Sequence, residues 1–279
     1  MKRPDIVKRI DAATRADAAT RAGAVKAADG MTLWRLEWLR LVRTHRLVAL
    51  VAVYLFFGLT GPLTARYLSE ILGQVGTGGV RLEFPDPVPA DGIQQFVGNA
   101  SQIALLVVVM VSASALALDA RREMAVFLRT RTRGVWAIVG PAYTVNAAAA
   151  AVGFTVGSLA AWYETVVLLG PIPPTAMLAG IAFGALFLAF AVAAVAFAAS
   201  LVRGTLAAAG TTLAALLGLA LVGNVTPLDR WLPTHLVGAL AGLVRGGSVV
   251  DYLPAAGIAA ALGAAMVAGA TALASRREL

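Results

Sequence analysis

Two histidines, His45 and His235, and no cysteine are available for chemistry. Without cysteine, disulfides, thiolate metal sites and thiol nucleophiles are excluded. His235 stands in Pro233-Thr-His-Leu, with Asp229 before it and Asp251 after it, the one stretch where an imidazole and carboxylates fall close together. An imidazole oriented by a carboxylate can serve as a general base, for instance in a lipid-modifying enzyme. Such a site also needs a positioned nucleophile or oxyanion donors. None accompanies it, so His235 reads as a structural histidine at an interface. The phosphate-cradling GxxxxGK[ST] loop is missing, so the chain is not expected to bind ATP in that mode or to hydrolyse it. HExxH and any metal-ligand cluster are missing as well, and no cofactor is expected on this chain.

The elements that would carry such residues are dominated by apolar runs. Of the 279 residues, 59% are hydrophobic and 14% charged. Soluble domains are about half apolar and a quarter charged, so a membrane protein is the expected class. Six runs are long enough to span a bilayer: 47–63, 98–118, 135–162, 176–202, 206–222 and 254–274. The fold class is therefore an all-α membrane protein with six transmembrane helices over residues 31–279. Residues 1–30 repeat Asp-Ala-Ala-Thr-Arg-Ala and hold almost no large apolar side chain, as expected of a solvated polar tail rather than a cleavable signal. The Gly- and Pro-rich stretch Thr64–Val97 reads as a loop. Between the last two spans, Leu236–Val244 is apolar but too short to cross, so it reads as a re-entrant or interfacial helix. Pro254 is placed in the first turn of the sixth span, where proline is tolerated.

Charge placement orients the bundle. Of the 23 Lys/Arg, only Arg66, Arg81, Arg230 and Arg245 fall on the side opposite the N-terminus. The cation excess sets topology, so both termini are expected in the cytoplasm of a multi-pass protein of the cell membrane. The formal charge of +8 is thereby explained without nucleic acid. Within the spans almost nothing ionises. Asp119 and Glu164 sit at span ends, so a proton relay is poorly supported. Gly153/Gly157, Gly180/Gly184 and Gly238/Gly242 have the spacing of close helix packing, but in a chain with 28 glycines such pairs arise easily by chance.

Two segments facing the cytoplasm stand out. Met31–Arg46 is amphipathic: Trp34, Trp38, Leu41 and Val42 share one face of a helical wheel, with Arg35, Arg40, Arg43 and Arg46 on the other side. This is the pattern of a helix lying in the headgroup plane, closed by the polar break Thr44-His45-Arg46. Asp119–Arg133 can form a short helix with Met124, Phe127 and Leu128 on one face and Arg122, Glu123, Arg129 and Arg133 in water, a plausible docking element for a cytoplasmic partner.

In this order and topology the chain resembles the permease subunit of type-2 ABC (ATP-binding-cassette) exporters over residues 31–279. Members of that family have an interfacial elbow helix, matched by Leu33–Arg46, and a coupling helix between the second and third spans, matched by Asp119–Arg133. They have re-entrant helices before the sixth span, matched by Leu228–Val244, and a short basic tail, matched by Ser275-Arg-Arg-Glu-Leu279. The family's coupling loop is matched at Glu123, Phe127-Leu128 and Thr132-Arg133. Met124-Ala125 replaces its Gly-Thr pair and Arg131 its proline. The resemblance implies an exporter in which two permease chains, identical or homologous, pair with two separate ATPase subunits that carry ATP and Mg. It implies that Arg122, Glu123, Phe127, Leu128 and Arg133 couple to the ATPase, and that the dimer face includes the second and fifth spans. An Ala/Leu/Val-lined cavity would suit hydrophobic or amphipathic cargo. A stand-alone secondary carrier would instead need charges or unwound helices at mid-membrane. A non-transporting assembly subunit would keep the same topology.

Overall fold

The computed structural model describes residues 33–75, 86–117, 136–224 and 228–276 of the chain. No strand occurs among them, and six helices are long and apolar enough to cross a membrane. The protein is an all-α, multi-pass membrane protein. Helix α1 spans 33–43 and α2 Arg46–Val75. Helix α3, Pro89–Asn99, runs through a π-helical turn, Ala100–Ala104, into α4, Leu105–Leu116. Then come α5, Trp136–Leu168, α6, Pro174–Leu201, and α7, Thr205–Gly223. Two 3-10 turns, Asp229–Trp231 and Pro233–Gly238, lead into the short α8, Ala239–Val244, and the long α9, Val249–Arg276.

Helix α6 is the hub: 67% of its most apolar stretch is buried, against 22% for α7 and for α9, which leave most of their surface to lipid or a partner. Two parallel helix pairs flank it. On one side α2 lies along α5, with Leu50 at Gly153, Tyr54 at Gly157 and Gly58 at Gly157 and Ala160. On the other α9 lies along α6, with Tyr252 at Phe183, Gly263 at Ala193 and Gly269 at Phe197. Five of the six glycines with helix-packing spacing make close contacts of this kind: Gly153 and Gly157 on α2, Gly180 on Leu240 of α8, Gly184 on the Phe154 ring, and Gly242 on the Tyr252 hydroxyl. A Cβ on Gly238 would meet nothing. With lipid on one side as apolar as the neighbouring helix on the other, packing geometry rather than water exclusion must hold such pairs together.

Threonines within the spans satisfy themselves. Thr144, Thr155, Thr165 and Thr212 each donate to the carbonyl four residues back, at 2.6–2.8 Å. That bond hides the hydroxyl where water is lacking.

Helix ends depart from the apolar runs on the side away from α1. The stretch expected to be a loop, Thr64–Val97, is helical over 64–75 and again from Pro89. Helix α2 passes through Pro62, and Thr64 bonds back to Thr60 at 2.8 Å. Helix α3 starts where Pro89 supplies a ready-made first position and the Val88 N–H donates to Asp91 Oδ2 at 3.0 Å. Asp91→Ala removes that acceptor and the weaker Arg245 contact at 3.9 Å. A loss of about 1 kcal/mol is expected, read as a fall of a few degrees in the thermal midpoint in detergent. The sixth span also starts early, at Val249, where Ser248 Oγ accepts the Val250 N–H at 3.3 Å. Pro254 therefore lies inside the helix, beyond its first turn.

Candidate functional site

Between the second and fifth spans opens a cleft of about 510 Å³. Its walls are Leu105 and Leu106 of α4 and Leu213, Leu216, Leu217 and Ala220 of α7, with Phe187 of α6 also on the lining. Ser101, Gln102, Asn224, Asp229 and Thr234 are its polar groups.

The π-turn sets the α4 wall. From Ala100 the buried face advances in four-residue steps through Ala104, Val108 and Ser112 to Leu116. Four-residue steps overrun a 3.6-residue turn, and the wider π-turn absorbs part of that drift. The Leu105 N–H reaches Ala100 O, and Ser101 Oγ donates to Gly98 O at 2.9 Å. Ser101 and Gln102 are thereby carried onto the cleft.

The opposite rim is built by prolines and short turns. Leu232, before Pro233, is extended (φ −85°, ψ 140°), as proline requires of the residue before it. That extended residue separates the two 3-10 turns and folds His235 back onto Asp229. Nδ1 of His235 lies 2.7 Å from Asp229 Oδ2. Of the two carboxylates near His235 in sequence, Asp229 is the one in contact. The imidazole also stacks on Tyr252 of α9, with centroids 4.8 Å apart and planes 26° from parallel. Arg230 lies over the Trp231 ring, 5.6 Å from its centroid. The Asp229–His235 pair thus fastens the two turns to each other and to α9. With one ring face covered by Tyr252, it serves as a structural clasp at the edge of the cleft.

At the other end of the bundle, α1 places its residues differently from the helical-wheel expectation at two positions. Trp34 and Trp38 are about half exposed, and Arg35 is exposed. Leu41, however, is buried in the core beside that face, at 3% exposure. Arg40 is half-buried rather than in water and lies 3.6 Å from Glu37. The cause is an inward-facing stripe, buried at 41 and half-buried at 33, 37 and 40, on a helical face adjacent to that of the tryptophans. Burial pushes the Glu37 carboxyl above its ordinary value of 4.5, against the opposing charges of Arg40 and Arg46. Folded protein therefore holds this proton more tightly than unfolded protein. The stabilisation it brings is full below 4.5 and is lost as pH rises through the higher folded value. Glu37→Gln is expected to flatten that part of the pH dependence of the thermal midpoint. The helix ends at the polar break: His45 takes a left-handed backbone (φ 56°) and Thr44 Oγ1 donates to Arg40 O at 2.6 Å.

Arg122, Glu123, Phe127, Leu128 and Arg133 lie outside the described residues, as do the 1–30 tail and the terminal Arg277-Glu278-Leu279. Among the described residues no group of three or more His, Asp or Glu is placed to hold a metal ion. Sequence reading missed Ser101, Gln102, Asn224 and Thr234; they lie in or beside apolar runs with no motif around them, and only the cleft gives them meaning. Comparison with protein-family models, with curated proteins and with solved structures yields no match to this chain.

Proposed function

We propose that the chain is the membrane permease subunit of an ATP-driven exporter of the type-2 ABC class, working as a dimer and driven by separate ATPase subunits that bind ATP and Mg. The observation that carries this reading is the cleft between the second and fifth spans, at the end of the bundle opposite α1. A path for cargo needs such an opening, and the weakly buried α7 beside it leaves a face for a second copy. In this reading α1 is the elbow helix, with Trp34 and Trp38 at the headgroups and Arg35 in water. The 3-10 turns and α8 are the re-entrant outer segment. Both termini are cytoplasmic in the cell membrane, because the cation-rich segments then lie inside. Residues 119–133 are the lever on which the ATPase acts.

A mild-detergent pull-down of the tagged chain from its native membrane tests the proposal. A stoichiometric partner carrying a phosphate-binding loop is the expected result. Recovery of the chain alone under gentle extraction would overturn it. It would favour a stand-alone carrier.

A further inference from the structure

The cleft is apolar along its walls and, among the described residues, carries a single ionisable side chain, Asp229, at its outer end. We propose that this end binds the cationic head of an amphiphile whose apolar body lies between Leu105 and Leu217. This assigns a substrate class to the permease proposed above. Its transport meaning rests on that reading, whereas the binding itself does not.

The acidic end is built, not incidental. Asp229 Oδ2 is held by His235, which leaves Oδ1 for another partner. That oxygen and Thr234 Oγ1 converge beside Gly223: a Cβ built there would lie 3.5 Å from each. A glycine at this point leaves the approach to the carboxylate open. Thr234 Oγ1 is buried and makes no hydrogen bond among the described residues. Among the same residues no lysine or arginine pairs with Asp229, and the neighbouring Arg230 is turned onto Trp231 instead. The Asp229 side chain is 46% exposed, so it is reachable as well as held.

Charge and shape together select the ligand. A carboxylate at the edge of an apolar wall acts through a medium that screens it less than water does, so its field reaches along the cleft. An anion there would meet repulsion. A neutral apolar molecule would cover the carboxylate without replacing its water, which is costly. A cation with an apolar body meets both surfaces. The cleft volume of about 510 Å³ falls within the range of sites for small organic ligands.

The test uses full-length protein in lipid nanodiscs and two ions of the same shape and opposite charge, radiolabelled tetraphenylphosphonium and tetraphenylborate, in equilibrium dialysis against empty nanodiscs. The cation is expected to bind saturably and the anion not. Asp229→Asn, which keeps the side-chain shape, should weaken cation binding about tenfold, the size of one lost charge-assisted contact. Leu217→Trp, which fills the cleft, should weaken it comparably without touching the carboxylate. Equal binding of the two ions, or unchanged cation binding by Asp229→Asn, overturns the proposal. If Asp229→Asn does not yield folded protein, the ion pair on the unmodified chain and on Leu217→Trp decides. No ATPase is present in this measurement. Loss of cation selectivity therefore leaves the pull-down unaffected, and a pull-down without an ATPase leaves the binding site standing.

Discussion

Gly157→Leu is expected to remove most of the folded protein from the membrane, and to lower the thermal midpoint of any that survives by about 10 °C. Along the α2–α5 pair the two backbones nearly touch. A Cβ at position 157 would lie 2.5 Å from the Tyr54 carbonyl oxygen and 2.7 Å from its carbonyl carbon. Neither atom can rotate aside as a side-chain tip can. Gly58 faces the same crossing, where its own Cβ would overlap the Gly157 carbonyl oxygen. Tyr54 cannot retreat, being 1% exposed and packed edge-on against Phe154 with ring centroids 5.7 Å apart. Relief therefore requires the helices to separate, which costs the contacts from Leu50 to Ala160 together. Overpacking a tight site typically costs about 1–3 kcal/mol, and a midpoint shifts by roughly 2–4 °C per kcal/mol in a chain of this size. Gly257→Leu, on the sixth span, is the control: a Cβ there meets nothing within 4 Å. Its midpoint should stay within about 2 °C of the unmodified chain, since open surface positions rarely move stability by more than ~0.5 kcal/mol. A Gly157→Leu protein as abundant and as heat-resistant as Gly257→Leu would show that the crossing does not hold the fold together.

This glycine pair marks where sequence stops being enough. Hydropathy senses the bilayer, so it locates six apolar runs. It cannot locate helix ends that are set by local backbone and side-chain hydrogen bonds: the continuation of α2 past Pro62, the start of α3 at Pro89 with Asp91 bonded to Val88, and the start of α9 at Val249. Spacing alone also ranks Gly153/Gly157 with Gly238/Gly242, yet a Cβ meets a backbone at Gly157 and open space at Gly238. What separates them is the neighbour across the gap, which no local pattern records. The site divides in the same way. That His235 has an acidic partner is legible from composition within one segment. That the partner is Asp229 follows from the extended residue before Pro233, which reverses the chain. Ser101 and Gln102 reach the cleft through a π-turn in Ala-Ser-Gln-Ile-Ala, a stretch whose composition is compatible with ordinary helix. The exposure of the tryptophans of α1 is legible from the helical wheel, but the burial of Leu41 and the half-burial of Arg40 are not. The inward stripe includes Glu37, a residue that hydropathy assigns to water.

The remaining large effect concerns the segment between the second and third spans. In the proposed reading, Phe127→Ala should lower ATP-driven transport by tenfold or more while basal ATP hydrolysis by the complex continues. The argument rests on connectivity. Residues 119–133 join α4, whose first turns form one wall of the cleft, to α5, whose glycines are locked against α2. A push on this segment would therefore act on two elements at once. On α4 it would tilt Leu105 and Leu106 relative to α7 across the cleft, where the packing is open. On α5 it would meet a crossing too tight to slide. Motion would thus be directed into the cleft rather than spread through the bundle. Phe127 is the one aromatic residue of the segment, and its loss would remove the largest apolar contact available to a docked ATPase. A coupling free energy of about 1–3 kcal/mol is typical between such sites, and loss of its upper half corresponds to roughly tenfold or more. Arg122→Ala and Arg133→Ala remove charges at the wet edge and should act more weakly, by about threefold, with a dependence on salt. The measurement is uptake into inverted vesicles alongside phosphate release from the same preparation. If Phe127→Ala transports and hydrolyses like the unmodified complex, the lever lies elsewhere, and the positively charged loop is only a topological anchor.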